Sequence, residues 1–144
     1  MPDRSQPVVV EQIIHRTVSD VWNAITDHSQ MVQWYFDNIP AFEPTVGFQT
    51  SFNVKAPSRD FYHQWKVTEV VPENKIAYEW TFKDIPGDSL STFEIEDHGD
   101  HVVLRVTAIG LDTLPGDIPE FDHESCLGGW NYFIKERLHQ YLSI

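Results

Sequence analysis

The chain has 144 residues, enough for one domain with its own hydrophobic core. Ten basic and twenty-two acidic residues give a formal net charge of −12. This charge argues against nucleic acid or an anionic membrane as partner, because both need clustered lysine and arginine. No apolar run spans a bilayer or resembles a signal peptide, and the single cysteine, Cys126, has no second cysteine to pair with. We therefore expect a cytoplasmic protein without membrane insertion.

The first part of the chain predicts one strand followed by two short helices. β-branched residues indicate a strand over Val8 to Arg16. The first helix is predicted to begin with Ser19 as its N-cap, and the second runs from about Ser29 through Trp34. Prolines and a glycine then mark Asp37 to Gly47 as a loop.

Five segments in which apolar and polar residues alternate follow this loop. Turns at Pro72 to Lys75, Asp84 to Asp88 and Asp97 to Asp100 separate them, and short turns of this kind join antiparallel neighbours. A longer loop, Leu111 to Phe121, comes after the last one. The predicted strands are Phe48 to Val54, Phe61 to Val71, Ile76 to Lys83, Ser91 to Ile95 and Val102 to Ala108.

The last twenty residues predict one long helix. Asp122 is its N-cap, and Glu124 places negative charge in the first turn, where the helix dipole favours it. Gly128 and Gly129 interrupt this helix, at a cost of about 1 kcal/mol each relative to alanine. We interpret the pair as a point where a bulky group presses close to the helix backbone. Apolar residues recur on one helical face: Leu127, Trp130, Ile134, Leu138 and Tyr141, widened by Phe133 and Leu142.

One face of the predicted sheet is unusually rich in large aromatic side chains. The simplest interpretation is that these rings fill the core, because protein interiors are densely packed. The alternative is a cavity under a single covering helix, which the rings would line. Its predicted lining consists of Trp34, Phe52, His63, Trp65, Tyr78, Trp80, Phe93 and Trp130. Thr50 would add a polar group, Asp37 or Glu43 would lie at the mouth, and Asp37 to Phe42 would form a gate.

His63 is the only candidate catalytic residue. It lies between Phe61 and Trp65 on the apolar face, where a neutral imidazole could orient a ligand or act as a general base. A core or rim histidine with satisfied hydrogen bonds is the more common case. The sequence contains no phosphate-binding loop, dinucleotide fingerprint, nucleophile elbow or paired zinc spacing.

Two other polar features are interpreted as structural. His98 and His101 flank a turn together with Asp97 and Asp100, and we interpret this group as a solvated turn instead of a metal site. Cys126 lies near the start of the last helix and is interpreted as a small buried residue. We therefore predict neither a metal nor a cofactor.

Three stretches of the sequence resemble a known family. Ile14 to Asp27 resembles the family's strand, small turn and V-W-x-A-(I/L)-T-(D/N), and Trp34 follows at the expected distance. Val67 to Trp80 is similar to its strand, proline turn and L-x-(Y/F)-x-W, and Gly129 to Ile134 is similar to G-W-x-x-x-L. In this order they resemble the activator of Hsp90 ATPase homologue (AHSA1-like) family of the START/Bet v 1-like (SRPBCC) superfamily.

The resemblance implies an α+β helix-grip fold. Such a fold has a curved antiparallel six-stranded sheet wrapped around a long C-terminal helix, with two short helices after the first strand. It also implies that small residues at Gly128 and Gly129 let the helix approach the sheet while Trp130 packs inward. The resemblance covers nearly the whole chain, so we expect one domain over 8–144 behind a disordered N-terminus, Met1 to Pro7.

The fold does not determine the function, because this superfamily includes lipid and hormone carriers, polyketide cyclases, aromatases and a co-chaperone domain. We expect a small hydrophobic or aromatic ligand. Two alternatives are an enzyme of polyketide cyclase or hydrolase type that uses His63, and a chaperone-linked or other protein-interaction module with an acidic surface. Only seven residues precede the first strand, whereas the eukaryotic co-chaperone has a separate N-terminal domain, so Hsp90 is not the expected partner. A homodimer could form through an edge strand such as Phe48 to Val54.

Overall fold

The computed structural model describes residues 6–56 and 59–143. Its elements are β1 (Val8–Ile14), α1 (Val18–Thr26), α2 (His28–Trp34), β2 (Gln49–Lys55), β3 (Asp60–Val71), β4 (Lys75–Phe82), β5 (Ile85–Asp97), β6 (Val102–Ile109) and α3 (His123–Trp130). Helix α3 continues into a π-helical stretch (Asn131–Leu138) and a final turn, α4 (His139–Leu142). These three segments together are called the C-terminal helix below. The predicted disorder of Met1 to Pro7 falls mostly outside the described residues.

All six strands form one curved antiparallel sheet in the order β1-β6-β5-β4-β3-β2. Every second side chain of β3 from Phe61 to Val67 is buried, and the same alternation holds in β6 from Val102 to Ala108. These rows form the face of the sheet that packs under the helices. The predicted α+β class, the six antiparallel strands and the position of the three helical regions are confirmed. Within the described ranges, no helix has the length and apolar character needed to cross a membrane.

The first helix begins earlier than predicted. Thr17, and not Ser19, is the N-cap, since its Oγ1 accepts a hydrogen bond from the backbone N–H of Asp20 at 3.1 Å. Both residue types cap helices well, so the local sequence alone could not choose between them. The second helix has Asp27 as its N-cap, whose carboxylate accepts from the backbone N–H of Ser29.

The connection between β4 and β5 is shorter than the predicted turn over Asp84 to Asp88. Strand β5 already begins at Ile85, which pairs with Phe82, whereas Ser89 pairs with Trp80. Two extra residues therefore bulge out of β5. Pro86 and Gly87 occupy this stretch. A bulge accommodates both residues, because a bulged residue does not take part in the regular hydrogen bonding between strands.

The predicted loop from Leu111 to Phe121 contains two short 3₁₀ turns, Leu111–Thr113 and Pro119–Phe121. Its apolar side chains do not face solvent: Leu111, Leu114, Ile118 and Phe121 are all buried. The loop consequently closes one end of the space between the sheet and the C-terminal helix.

The C-terminal helix begins at the predicted cap, where the Asp122 carboxylate accepts a hydrogen bond from the backbone N–H of Ser125 at 2.8 Å. Its buried face differs from the predicted one at the C-terminal end, where Leu142 is buried and Tyr141 is only half-buried. The π-helical stretch explains this difference, since wider turns keep residues four apart on one face. The resulting buried row is Trp130, Ile134, Leu138 and Leu142.

The interpretation of Gly128 and Gly129 as a point of close approach is wrong. Both residues are exposed, and a Cβ added to either would have no neighbouring atom within 4 Å. The Trp130 ring packs edge-on against Trp80 and Phe93, with centroids 5.7 and 5.6 Å apart. Rings of this size separate the helix backbone from the sheet, so the glycines face open space.

Gly128→Ala should raise the free energy of unfolding by up to about 1 kcal/mol, the difference in helix propensity. Gly110→Ala should lower it, because Gly110 has φ +83° and an added Cβ would collide with the Asp88 carbonyl. Urea unfolding of both variants checks this contrast. A loss of stability in Gly128→Ala would mean that the helix backbone is closely packed at this point after all.

Candidate functional site

A cavity of about 230 Å³ lies between the sheet, the loop after β6 and the C-terminal helix. The strands contribute Val54, Phe61, His63, Trp80, Phe82, Ser89, Ser91 and Ala108 to its wall. The loop contributes Leu111, Leu114, Glu120 and Phe121, and the helix contributes Cys126, Gly129, Trp130 and Phe133. Phe36 and Ala56 complete the wall, which is therefore mostly apolar with a few polar groups, as is typical of ligand-binding cavities.

The structure separates the eight predicted lining residues into two groups. His63, Trp80 and Trp130 lie on the cavity wall. The other five do not line it and are at most 4% exposed: Trp34, Phe52, Trp65, Tyr78 and Phe93. Thr50 is also buried away from the wall. Residues from one row of the sheet thus belong partly to the core and partly to the cavity.

Direct ring contacts explain why the second group lies in the core. The Trp65 ring packs against Tyr35, Phe52 and Tyr78, with centroids 5.3, 4.9 and 4.8 Å apart. Trp34 is fixed between the two short helices, because its Nε1 donates a hydrogen bond to the Ala24 carbonyl at 2.8 Å. No space remains beside these side chains for a ligand.

Tyr78, which was predicted to line the cavity, uses its hydroxyl elsewhere. The Tyr35 and Tyr78 hydroxyl oxygens lie 2.7 Å apart in a buried hydrogen bond. Burial raises the pKa of Tyr78 far above its usual value, and burial together with the neighbouring Tyr78 raises the pKa of Tyr35. The two neutral hydroxyls satisfy each other, so neither offers a polar group to the cavity.

The predicted gate, Asp37 to Phe42, contributes no residue to the cavity wall. Phe42 is buried and packs edge-on against Trp65 at a centroid distance of 6.4 Å. The Asn38 side chain donates to the Asn53 carbonyl at 2.6 Å. These contacts attach the loop to the core, so the structure does not support a gate at this place.

Several wall residues were missed by the sequence interpretation. The sequence predicts Leu111, Leu114 and Phe121 to lie in an irregular connection, and their apolar character is the one local signal that could have marked them as buried. Gly129 was noticed for its helix-breaking character, but its position on the wall depends on how the helix is rotated above the sheet. Phe36 follows directly after α2 and carried no pattern that marked it.

His63 is held in one orientation and one tautomer. Its Nδ1 accepts a hydrogen bond from Trp80 Nε1 at 2.6 Å. An indole nitrogen can only donate, so Nδ1 carries a lone pair and the proton of the neutral imidazole must lie on Nε2. The ring also stacks on Phe52 at a centroid distance of 5.2 Å.

The electrostatic state of His63 follows from its surroundings. Burial lowers the pKa of His63 from 6.5 to about 3, because the apolar environment disfavours the imidazolium. At neutral pH the ring is therefore uncharged. Because Trp80 occupies the Nδ1 lone pair and Nε2 holds the proton, the arrangement favours hydrogen-bond donation over the general-base role considered from sequence.

Replacement of His63 by glutamine should make unfolding less sensitive to acid. Between pH 6.5 and about 3 the unfolded chain takes up a proton at His63 and the folded protein does not, so stability falls as the pH falls. From about pH 7 to pH 5, the wild type should lose about 2 kcal/mol more stability than His63→Gln. Urea unfolding at both pH values measures the difference. Equal losses would mean that the folded His63 titrates near its usual pKa.

The family model described as "Activator of Hsp90 ATPase homolog 1-like protein" matches residues 15–143. No curated protein sequence matches the chain significantly. CV1439 from Chromobacterium violaceum superposes with a TM-score of 0.79 at 20% identity, over 96% of this chain and 97% of that one. The Aha1 dimer from Colwellia psychrerythraea gives 0.76 at 17% identity, over 96% and 97%.

DynU16, from the dynemicin biosynthetic locus, superposes with a TM-score of 0.77 at 24% identity, over 99% of this chain. The match covers 48% of DynU16, so this chain spans about half the length of that protein. Identities this low show a shared fold and nothing of function. The family match covers most of the chain and agrees with the helix-grip architecture. The chain belongs to the Activator of Hsp90 ATPase homolog 1-like family.

Proposed function

We propose that the protein binds a small hydrophobic or aromatic molecule in the cavity between the sheet and the C-terminal helix. The observation that carries the proposal is a mostly apolar cavity of about 230 Å³ beside a core densely filled with rings. Packed interiors leave few voids larger than a water molecule, and an engineered dry cavity of about 150 Å³ binds benzene. The volume therefore suits a molecule with one or two rings.

The position of Gly129 gives such a ligand a way in. This residue is exposed and also lies on the cavity wall, so we place the entrance of the cavity beside it. A side chain at this position would extend into the opening, because nothing else occupies the space within 4 Å of its Cβ. The helix-weakening glycine thus keeps the entrance clear.

Gly129→Leu should fill the entrance and lower the affinity for a two-ring hydrocarbon, tetralin, at least about tenfold, since a side chain of that size displaces ligand volume. Gly128→Leu is the matched control, because it makes the same helical substitution at the neighbouring position, which does not line the cavity. Calorimetric titration measures both affinities, and a change in tryptophan fluorescence locates the binding, because Trp80 and Trp130 lie on the wall.

Equal affinities in the two variants, or no binding of tetralin to the wild type, would contradict the proposal. Native mass spectrometry of freshly purified protein adds a test with an unknown ligand. Binding in this cavity would give the wild type a discrete mass excess that disappears on denaturation. Gly128→Leu should keep this excess, and Gly129→Leu should lack it.

A protein-interaction module is the second candidate, favoured by the family match and by the net charge of −12. The Colwellia relative is described as a dimer, which supports a second copy of the chain as one partner to test. Binding of a basic partner to the acidic surface should weaken as salt is added, whereas self-association should strengthen, because salt screens the repulsion between two copies that each carry a net charge of −12. Neither interaction should respond to Gly129→Leu. Sedimentation at low and high salt, with wild type and variant, separates this candidate from ligand binding.

A further inference from the structure

We infer that the cavity selects an uncharged ring molecule that carries a hydrogen-bond acceptor, such as a carbonyl oxygen, and that His63 Nε2–H donates to this acceptor. The inference rests on the proposed binding function and names its ligand class. It depends on three features of the wall: an unpaired donor, a fixed tautomer and the absence of a basic side chain.

The donor is available to a ligand. Within residues 6–56 and 59–143, His63 Nε2 has no hydrogen-bond partner, whereas Nδ1 has Trp80. Among the described residues, Trp65 Nε1 is the one side-chain nitrogen or oxygen that is fully buried and has no hydrogen-bond partner. His63 Nε2 also has no partner, so it is not fully buried. His63 is 7% exposed and lies on the cavity wall, so this N–H opens into the cavity. An unpaired donor in apolar surroundings is unfavourable until an acceptor meets it.

The tautomer is fixed because Trp80 cannot rearrange. The Trp80 ring packs edge-on against Trp65 and Trp130, with centroids 5.2 and 5.7 Å apart. The Trp80 carbonyl accepts a hydrogen bond from the buried Ser89 hydroxyl at 2.6 Å. If His63 moved its proton to Nδ1, two N–H groups would face each other. Nε2 therefore donates, and a ligand whose only polar group is a donor cannot pair with it.

The charges on the wall exclude anionic ligands. No lysine or arginine of the described residues lines the cavity, and Glu120 is its one side chain with a formal charge. A carboxylate or phosphate in this apolar space would have no cation to pair with, and an unpaired buried charge is strongly unfavourable. His63 cannot supply the cation, because burial keeps its pKa at about 3. An uncharged acceptor satisfies the donor without this cost.

Three molecules with the same two-ring skeleton test the inference: 1-tetralone carries a carbonyl, tetralin carries no polar group, and 1,2,3,4-tetrahydro-1-naphthoate carries a carboxylate. At neutral pH, 1-tetralone should bind about tenfold more tightly than tetralin, the contribution of one well-placed hydrogen bond. The carboxylate should bind more weakly than either. Long-range ¹H–¹⁵N spectra of the imidazole should show the Nε2–H tautomer, with a shift of Nε2 on addition of 1-tetralone and not of tetralin.

His63→Asn supplies the matching variant. Its amide oxygen can still accept the hydrogen bond from Trp80, but no group remains at the position of Nε2. The tenfold preference for 1-tetralone should disappear while tetralin binding is kept. Thr50→Val is the control, because Thr50 is similarly buried on β2 and does not line the cavity, so the preference should remain.

The outcomes separate this inference from the proposed function. Equal binding of 1-tetralone and tetralin, both blocked by Gly129→Leu, would overturn the donor inference and leave the cavity as a binding site. No binding of either would overturn both. A third outcome is that His63→Asn still prefers 1-tetralone over tetralin and Ser91→Ala does not. This result would place the donor at the Ser91 hydroxyl and overturn the assignment to His63. If His63→Asn does not fold, the Nε2 shift in the wild type decides.

Discussion

Contacts between large aromatic rings set the distance between the sheet and the C-terminal helix. Phe133 packs against Tyr35 and Phe36, with centroids 5.0 and 4.9 Å apart, while Trp130 reaches down to Trp80 and Phe93. Rings are rigid and their pairs contribute about 0.5–1.5 kcal/mol beyond the area they bury. They therefore act as fixed spacers. Where the facing residues are small, as at Ser91, Ala108 and Gly129, the same spacing leaves a cavity.

The spacing set by the rings also determines the tautomer of His63, one of the polar residues on the cavity wall. The Trp80 indole lies on the wall because other rings hold it there, and it donates to His63 Nδ1. This single hydrogen bond satisfies Trp80 Nε1 and His63 Nδ1 and leaves the Nε2–H of His63 for the cavity. An enzyme using His63 would consequently have to rely on donation to a carbonyl, with proton abstraction by some other group. The geometry thus favours hydrogen-bond donation by His63 over proton abstraction.

Family membership and local geometry answer different questions about this protein. The family match and the structural relatives fix the helix-grip architecture, but relatives at 14–24% identity carry no residue roles across. The division of residues between core and cavity is a property of this chain's own side chains. It explains why Trp65 and Trp80, which face each other on neighbouring strands, have different roles. Trp65 is enclosed by rings, whereas Trp80 contacts several rings and also borders the cavity.

Local sequence patterns predict the order of the elements, the buried face of the five strands after the first, and the cap of the C-terminal helix at Asp122. Alternation and capping depend on residues close in sequence, so such patterns can be read without the fold. Two local features could not be resolved in this way: Thr17 and Ser19 are both suitable caps, and a proline and a glycine fit a bulge as well as a turn.

Which inward residues meet empty space depends on how the elements pack against one another. Alternation shows that Tyr78 and Trp80 point the same way, but it does not show what stands opposite each of them. Gly129 illustrates the same limit, because a glycine in a helix is compatible with both a tight contact and an opening. The tautomer of His63 depends on Trp80, seventeen residues away in the chain and a diagonal neighbour across two strands. These properties arise from distances between elements, which no local sequence pattern encodes.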